Sequence, residues 1–276
     1  MNYADEYIKT LIGKKVAFVG MGVANTPCAE FLAKKGIEVY ACDKRDKEYI
    51  GTDTCKRLEE LGVRFSLGDE YLDILPQMDV VFRSHGILPF QNPWIGQCIK
   101  RGQTVTTEME VFFKYCPCKI FAITGSNGKT TTTTLISKML EAEGKKVFLG
   151  GNIGKALMPA LDEIGENDIA VVELSSFQLL TMGNLKDKPD VAVVTNIECT
   201  HQDHHISLDE YVDAKRNILI YQNSNQRTVL NADCDYSIGN SVYHDMRFDV
   251  RGNLFEFSIK HPVENGAYMD AETGDI

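Results

Sequence analysis

The stretch 121–134, FAITGSNGKTTTTT, constrains the fold more than any other part of this chain. Phe121, Ala122 and Ile123 read as a short buried strand, and Gly125, Ser126, Asn127 and Gly128 as the turn that follows it. From Leu135 the spacing becomes helical, with Leu135, Ile136, Met139 and Leu140 expected on one face. Strand, glycine turn, Lys-Thr and helix together make the layout of a phosphate-binding loop. Glycines carry no Cβ, so backbone N–H groups can point at an anion. The helix start adds the positive end of its dipole. Lys129 is expected to reach the terminal phosphates of a nucleotide, and Thr130 to offer a hydroxyl to Mg²⁺. The usual loop has four residues between its glycines, whereas Gly125 and Gly128 have two. The plain alternative is an ordinary strand, turn and helix with a lysine on the surface.

Upstream, residues 15–20, KVAFVG, form an apolar strand that ends in Gly20-Met21-Gly22-Val23-Ala24-Asn25. This is close to G-x-G-x-x-G, with Asn25 in place of the third glycine. A second strand, 38–42, ends at Asp43, where a ribose-binding carboxylate is expected. A third, 78–82, runs into Arg83-Ser84-His85-Gly86. In an open parallel sheet ligands sit beyond the carboxyl ends of the strands, so these turns are candidate nucleotide contacts. The alternative is a doubly wound sheet that binds no nucleotide.

Downstream, 150–154 reads GGNIG, and 168–174, DIAVVEL, is an apolar strand with Glu173 near its carboxyl end. A carboxylate rarely sits in such a run without a partner. Glu173 is either half of a core ion pair or a ligand for Mg²⁺ at the phosphate loop. Ser175 and Ser176 follow directly. Residues 196–205, NIECTHQDHH, include His201, His204 and His205. Their spacing from Cys199 does not suit structural zinc, so one histidine near Mg²⁺ is the expectation. Lys215 lies on the next helix, where pattern alone makes it a solvated charge.

The expected fold is α/β. A Rossmann-like domain spans 1–107, and a P-loop ATPase-type domain spans 108–276. The second sheet is expected to be mostly parallel, with a small antiparallel part where 247–259 alternates. The net charge of −10 over 276 residues argues against a basic nucleic-acid-binding face. No apolar run is long enough for membrane insertion, and the first residues lack a secretory pattern. The scattered cysteines read as reduced thiols of a cytoplasmic protein, and a monomer is expected.

Together TGSNGKTT, GGNIG, ELSSFQL and NIECTHQDHH with EYVDAKRNI resemble the Mur ligase family. ELSSFQL is most similar to its D-glutamate-adding members. The resemblance runs from about Lys15 to Asp233. It implies an ATP- and Mg²⁺-dependent amide ligase of peptidoglycan synthesis, which adds D-glutamate to UDP-N-acetylmuramoyl-L-alanine through an acyl phosphate. Carried over by position, Gly125, Ser126, Asn127, Gly128, Lys129, Thr130 and Thr131 hold the nucleotide phosphates. The metal ligands are Thr130, Glu173, His201 and Lys215, the last as a carbamate, and Lys129 completes the catalytic group. Gly22, Val23, Ala24, Asp43, Ser84, Gly86, Asn152, Ser175 and Ser176 match substrate contacts. The family's Ser-Pro-Gly turn reads Ser84-His85-Gly86 here. The family has a further C-terminal domain, so the expectation is the larger part of a ligase. The alternative is a truncated chain that only binds the UDP substrate or nucleotide.

Overall fold

The computed structural model describes residues 3–182, 188–198, 208–235, 245–270 and 272–276. Contacts divide the chain into two compact units, Met1–Pro117 with Lys155–Ile164, and Cys118–Gly154 with Gly165–Ile276. The sequence places the boundary after Thr107. The helix that follows, Glu108–Tyr115, groups with the first unit, as does the 155–164 excursion.

The first unit is a parallel sheet of β1 (Lys15–Val19), β2 (Glu38–Asp43), β3 (Arg64–Leu67), β4 (Val80–Arg83) and β5 (Thr104–Thr106), in the order β3-β2-β1-β4-β5. β1 and β4 are buried on both faces, as parallel strands covered by helices require. β3 escapes the sequence reading because it is short and only half-buried. The helices are α1 (Tyr3–Leu11), α2 (Asn25–Lys34), α3 (Lys47–Ile50), α4 (Thr52–Glu60), α5 (Pro93–Lys100) and α6 (Glu108–Tyr115). Thr107 starts α6 with a capping box, its hydroxyl taking the Glu110 amide while the Glu110 carboxylate takes the Thr107 amide. Register sets the site: Val19 lies opposite both Cys42 and Arg83, so the Gly20, Asp43 and Ser84 turns emerge side by side.

The second unit contains β6 (Lys119–Thr124), β7 (Val147–Gly151), β8 (Ile169–Glu173), β9 (Val191–Val194), β10 (Arg227–Asn231), β11 (Asn253–Ser258) and β12 (Gly266–Tyr268). Their order is β12-β11-β10-β9-β6-β8-β7, and every pairing is parallel. The antiparallel part expected over 247–259 is therefore not present among the described residues. β11 runs parallel to both β10 and β12. The pairing with β12 involves only Glu256–Ser258, so the short loop after Ser258 can retrace the strand and restart in the same direction. β11 is half-exposed along most of its length, and alternation there does not report strand direction.

The helices of this unit are α7 (Lys129–Ala142), α8 (Ser176–Thr181) and α9 (Leu208–Arg216). Ile136 and Leu140 of α7 pack on Ile123, Val171 and Val193. Leu135 and Met139, expected on the same face, are 57% and 68% exposed. The i, i+4 pairs lie a residue apart around the helix, and only one of them meets the sheet. The described cysteines are free thiols, all but Cys234 buried. No described helix is long and apolar enough to cross a membrane.

Candidate functional site

β6 has β9 on one side and β8 on the other, so the loop after Thr124 opens where strand order diverges, the usual ligand position in such sheets. Gly125 has φ +150°, and a Cβ there would fall 1.9 Å from Thr195 Oγ1. Gly125→Ala should therefore displace the loop, cost at least about 2 kcal/mol in a thermal unfolding curve, and abolish nucleotide binding. Gly128 adopts the left-handed conformation, φ 80°, and leads into α7. The first amide of α7 with a backbone acceptor is that of Thr132, which donates to Gly128 O. The amides of Gly128, Lys129, Thr130 and Thr131 have no acceptor among the described residues, a ready anion cradle.

Ser126 and Asn127 are turned the other way. The Ser126 amide donates to Asn196 O (2.9 Å), and the Asn127 amide to Asn196 Oδ1 (2.8 Å). Ser126 Oγ pairs with the Tyr211 hydroxyl (2.8 Å), and the Asn127 side chain donates to Glu198 Oε2 (2.8 Å). Both residues brace the loop, and the anion face is left to Gly128 and the first turn of α7. Lys129 Nζ lies 3.0 Å from both Gly125 O and Ser126 O.

Glu173 is 1% exposed and has no cationic partner within ion-pair distance among the described residues. Thr130 Oγ1 donates to its Oε2 (2.8 Å), and Asn152 Nδ2 to its Oε1 (2.9 Å). Among the described residues Glu173 thus has hydrogen-bond donors and not a core ion pair. Gly151 lets this happen: it has φ +101°, and a Cβ would fall 2.2 Å from Glu173 O. The Asn152 amide also donates to Glu173 O at 2.8 Å, so the GGNIG turn buttresses the carboxylate. Thr130 and Glu173 present hard oxygen donors beside the anion cradle, a set that suits Mg²⁺, which keeps most of its waters.

Lys215 is not a solvated charge. It is 2% exposed, donates to Gly125 O (2.9 Å) and lies over the Tyr211 ring. Burial, reinforced by the Lys129 charge, pushes its ammonium down to about 7. Ser175 caps α8, its Oγ taking the Gln178 amide (3.2 Å), and Ser176 is buried at 7% exposure. His201, His204, His205 and Cys199 lie outside the described residues. Sequence reading singled out none of Asn196, Glu198 and Tyr211, although they lie within the NIECTHQDHH and EYVDAKRNI motifs. Asn196 and Glu198 also border a cavity of about 430 Å³ lined by Asn231, Asp233 and Phe257.

In the first unit, a Cβ at Gly22 would meet no atom within 4 Å, and Val23 is 83% exposed. The Val23 and Ala24 amides have no acceptor among the described residues, while Thr26 N donates to Gly22 O (3.0 Å). Asn25 replaces the third glycine usefully: its Nδ2 donates to Val19 O (3.1 Å) and Gly20 O (2.9 Å), closing the turn. Asp43 is not an open ribose acceptor. Its Oδ2 takes the Met21 amide (2.7 Å), and Arg45 grips both oxygens. Burial alone would raise the Asp43 carboxyl; Arg45 and the backbone amides hold it below the usual carboxylate range. Ser84 Oγ donates to Gly20 O (3.1 Å), tying the two turns together, and Gly86 has no atom near its Cβ position.

The family model described as Mur ligase middle domain matches residues 123–263, and that of the Mur ligase MurD-like, N-terminal domain matches 14–107. A UDP-N-acetylmuramoylalanine--D-glutamate ligase of Clostridium acetobutylicum is 41% identical over 272 residues, covering 99% of this chain and 57% of that protein. One from Ruminiclostridium cellulolyticum is 44% identical over 265 residues, covering 96% of this chain and 55% of the relative. This chain thus spans a little over half the length of these curated relatives. Among solved structures, UDP-N-acetylmuramate:L-alanyl-gamma-D-glutamyl-meso-diaminopimelate ligase from Neisseria meningitides has a TM-score of 0.58, covers 91% of this chain and 82% of that one, and is 16% identical, a likeness of fold.

Proposed function

The chain belongs to the Mur ligase family, and from that premise we propose that it works as part of an ATP-dependent ligase of peptidoglycan synthesis, a cytoplasmic monomer. The reaction proposed joins D-glutamate to UDP-N-acetylmuramoyl-L-alanine. The muramoyl-alanine carboxylate takes the γ-phosphoryl group of ATP, and the D-glutamate amine then displaces phosphate from the acyl phosphate.

One observation carries this reading: Asn152, Glu173 and Thr130 form a hydrogen-bonded chain that ends beside the unpartnered amides of α7. Those amides and Lys129 hold the β- and γ-phosphates. Thr130 and Glu173 would hold Mg²⁺, which when bound would neutralise charge on the transferred phosphoryl group. Asn152 fixes the rotamer of Glu173. Lys215 faces the inner side of the loop, where a carbamate on its Nζ would add a third oxygen ligand. Native mass spectrometry of the intact chain should show the added CO₂, and its loss in Lys215→Ala. In the first unit the start of α2 holds the diphosphate of the UDP substrate, and Asp43 with Ser84 keeps that turn in place.

Calorimetric titration tests the assignment. The chain should bind UDP-N-acetylmuramoyl-L-alanine, and separately a non-hydrolysable ATP analogue with Mg²⁺. Silence in both titrations would overturn it. Asn152→Ala should weaken the Mg²⁺-dependent part of nucleotide binding by about 10–100-fold, the usual cost of losing a group that orients a metal ligand. Binding of nucleotide without Mg²⁺ should stay within about twofold, because the amide cradle does not involve Asn152. Equal losses with and without the metal would remove Asn152 from this role.

A further inference from the structure

A cavity of about 300 Å³ opens in the first unit between α1, α6 and the edge strand β5. Lys14, Val80 and Thr104, which line it, stand at the amino ends of β1, β4 and β5, away from the Gly20 and Ser84 turns at the carboxyl ends. Its apolar wall comes from Leu11, Val80 and Val111, all buried, with the rings of Tyr7 and Tyr115 5.0 Å apart.

The polar groups divide into those already committed and those that are not. Thr10 Oγ1 donates to Tyr7 O (2.7 Å). Glu110 Oε2 takes Thr106 Oγ1 (2.9 Å) and the Thr107 amide (2.8 Å), and its Oε1 lies 4.0 Å from the buried Arg83 guanidinium. Burial raises the Glu110 carboxyl, and Arg83 with these hydrogen bonds offsets only part of that. Tyr7 is 7% exposed as a residue, and its hydroxyl, which is not among the buried unpaired atoms, opens on the cavity without a hydrogen bond to any described residue. Lys14 and Lys114 reach the same cavity, and neither has a carboxylate within ion-pair distance among the described residues; Lys114 lies over the Tyr115 ring. A mostly apolar concavity with a few placed polar groups is the usual form of a small-molecule site.

We propose that this cavity binds a small amphipathic organic acid, its apolar body between Tyr7, Leu11 and Val111 and its carboxylate at Lys14 and Lys114. The Tyr7 hydroxyl would donate to an oxygen of the ligand. The volume is at the lower end for ligand pockets, which limits the occupant to about the size of one substituted ring. This site is independent of the proposed ligase substrates.

The test uses the whole chain with phenylacetate, its neutral isostere phenylacetamide, and protein-observed NMR. Phenylacetate should shift the amides of Val80, Thr104 and Val111 and saturate, binding about tenfold more tightly than the amide. Lys14→Met and Lys114→Met, at exposed positions, should each weaken phenylacetate severalfold and leave phenylacetamide unchanged. Tyr7→Phe should weaken it while keeping the fold. Equal binding of acid and amide, or no shifts at those residues, would overturn the proposal even if a variant fails to fold.

Discussion

A chain carrying Lys129→Ala should bind ATP with Mg²⁺ at least about a hundredfold more weakly than the unaltered chain, with little change in melting temperature. Among the described residues its ammonium hydrogen-bonds only to the Gly125 and Ser126 carbonyl oxygens (3.0 Å each), so it is held at the loop without being needed for the core. A triphosphate would replace those neutral acceptors with charged ones. Hydrogen bonds to charged groups contribute roughly 1.5–3 kcal/mol each, and two of them make a hundredfold loss or more. Lys215 cannot substitute, because it is buried under Gly125 and bonded to that residue's carbonyl oxygen. Lys129→Arg should rescue poorly, since a planar fork does not fit a nest shaped for a point charge. Calorimetry gives the affinity and a thermal scan the stability. Unchanged affinity in Lys129→Ala would contradict the assigned role.

Glu108→Gln should stabilise the first unit at neutral and alkaline pH. Glu108 lies on the first turn of α6, is 1% exposed, and neither carboxyl oxygen has a side-chain partner or a well-formed hydrogen bond. Burial raises its carboxyl from 4.5 to about 8, and the nearby Met158 and Leu157 amides only partly offset this. The Cys28 thiol beside it is itself pushed up by burial and by the Glu108 charge. The direction follows from linkage. Below about pH 4.5 both folded and unfolded chains carry the proton, and the full stability is present. As pH rises from there to about 8, only the folded chain must keep the proton, so stability falls along that window and levels off above it. The loss is on the order of 3–5 kcal/mol by pH 8. The amide side chain of the variant does not titrate, so urea midpoints of the two chains should match near pH 4.5 and diverge in favour of the variant by pH 8. Parallel pH profiles would show that Glu108 ionises freely. Because Leu157 and Met158 belong to the 155–164 excursion, the buried carboxyl also marks where that segment docks on α6.

Several site features were legible because they are local. The glycine turn, Lys-Thr and the following helix occupy consecutive residues, and backbone sterics at Gly125 and Gly128 act within the turn itself. Glu173 stood out because a lone carboxylate in an apolar strand calls for a partner. The partner was not legible: Thr130 is 43 residues away and Asn152 21, and neither pattern signals hydrogen bonding to a carboxylate. Lys215 shows the same limit more sharply. Its own helix reads as amphipathic and solvated, yet it meets Gly125 across 90 residues and is buried there.

By itself the sequence determined the α/β alternation, the strand–loop–helix of the anion cradle and the apolar strands, because each is a matter of side chains and dihedrals a few residues apart. Only the tertiary structure decided that Ser126 and Asn127 brace Asn196, that Asp43 is closed by Arg45, that β11 and β12 run parallel, and that 155–164 groups with the first unit. Those outcomes depend on which groups meet across long separations, and a hydrogen-bond donor's sequence neighbours carry no record of the acceptor that folding brings to it.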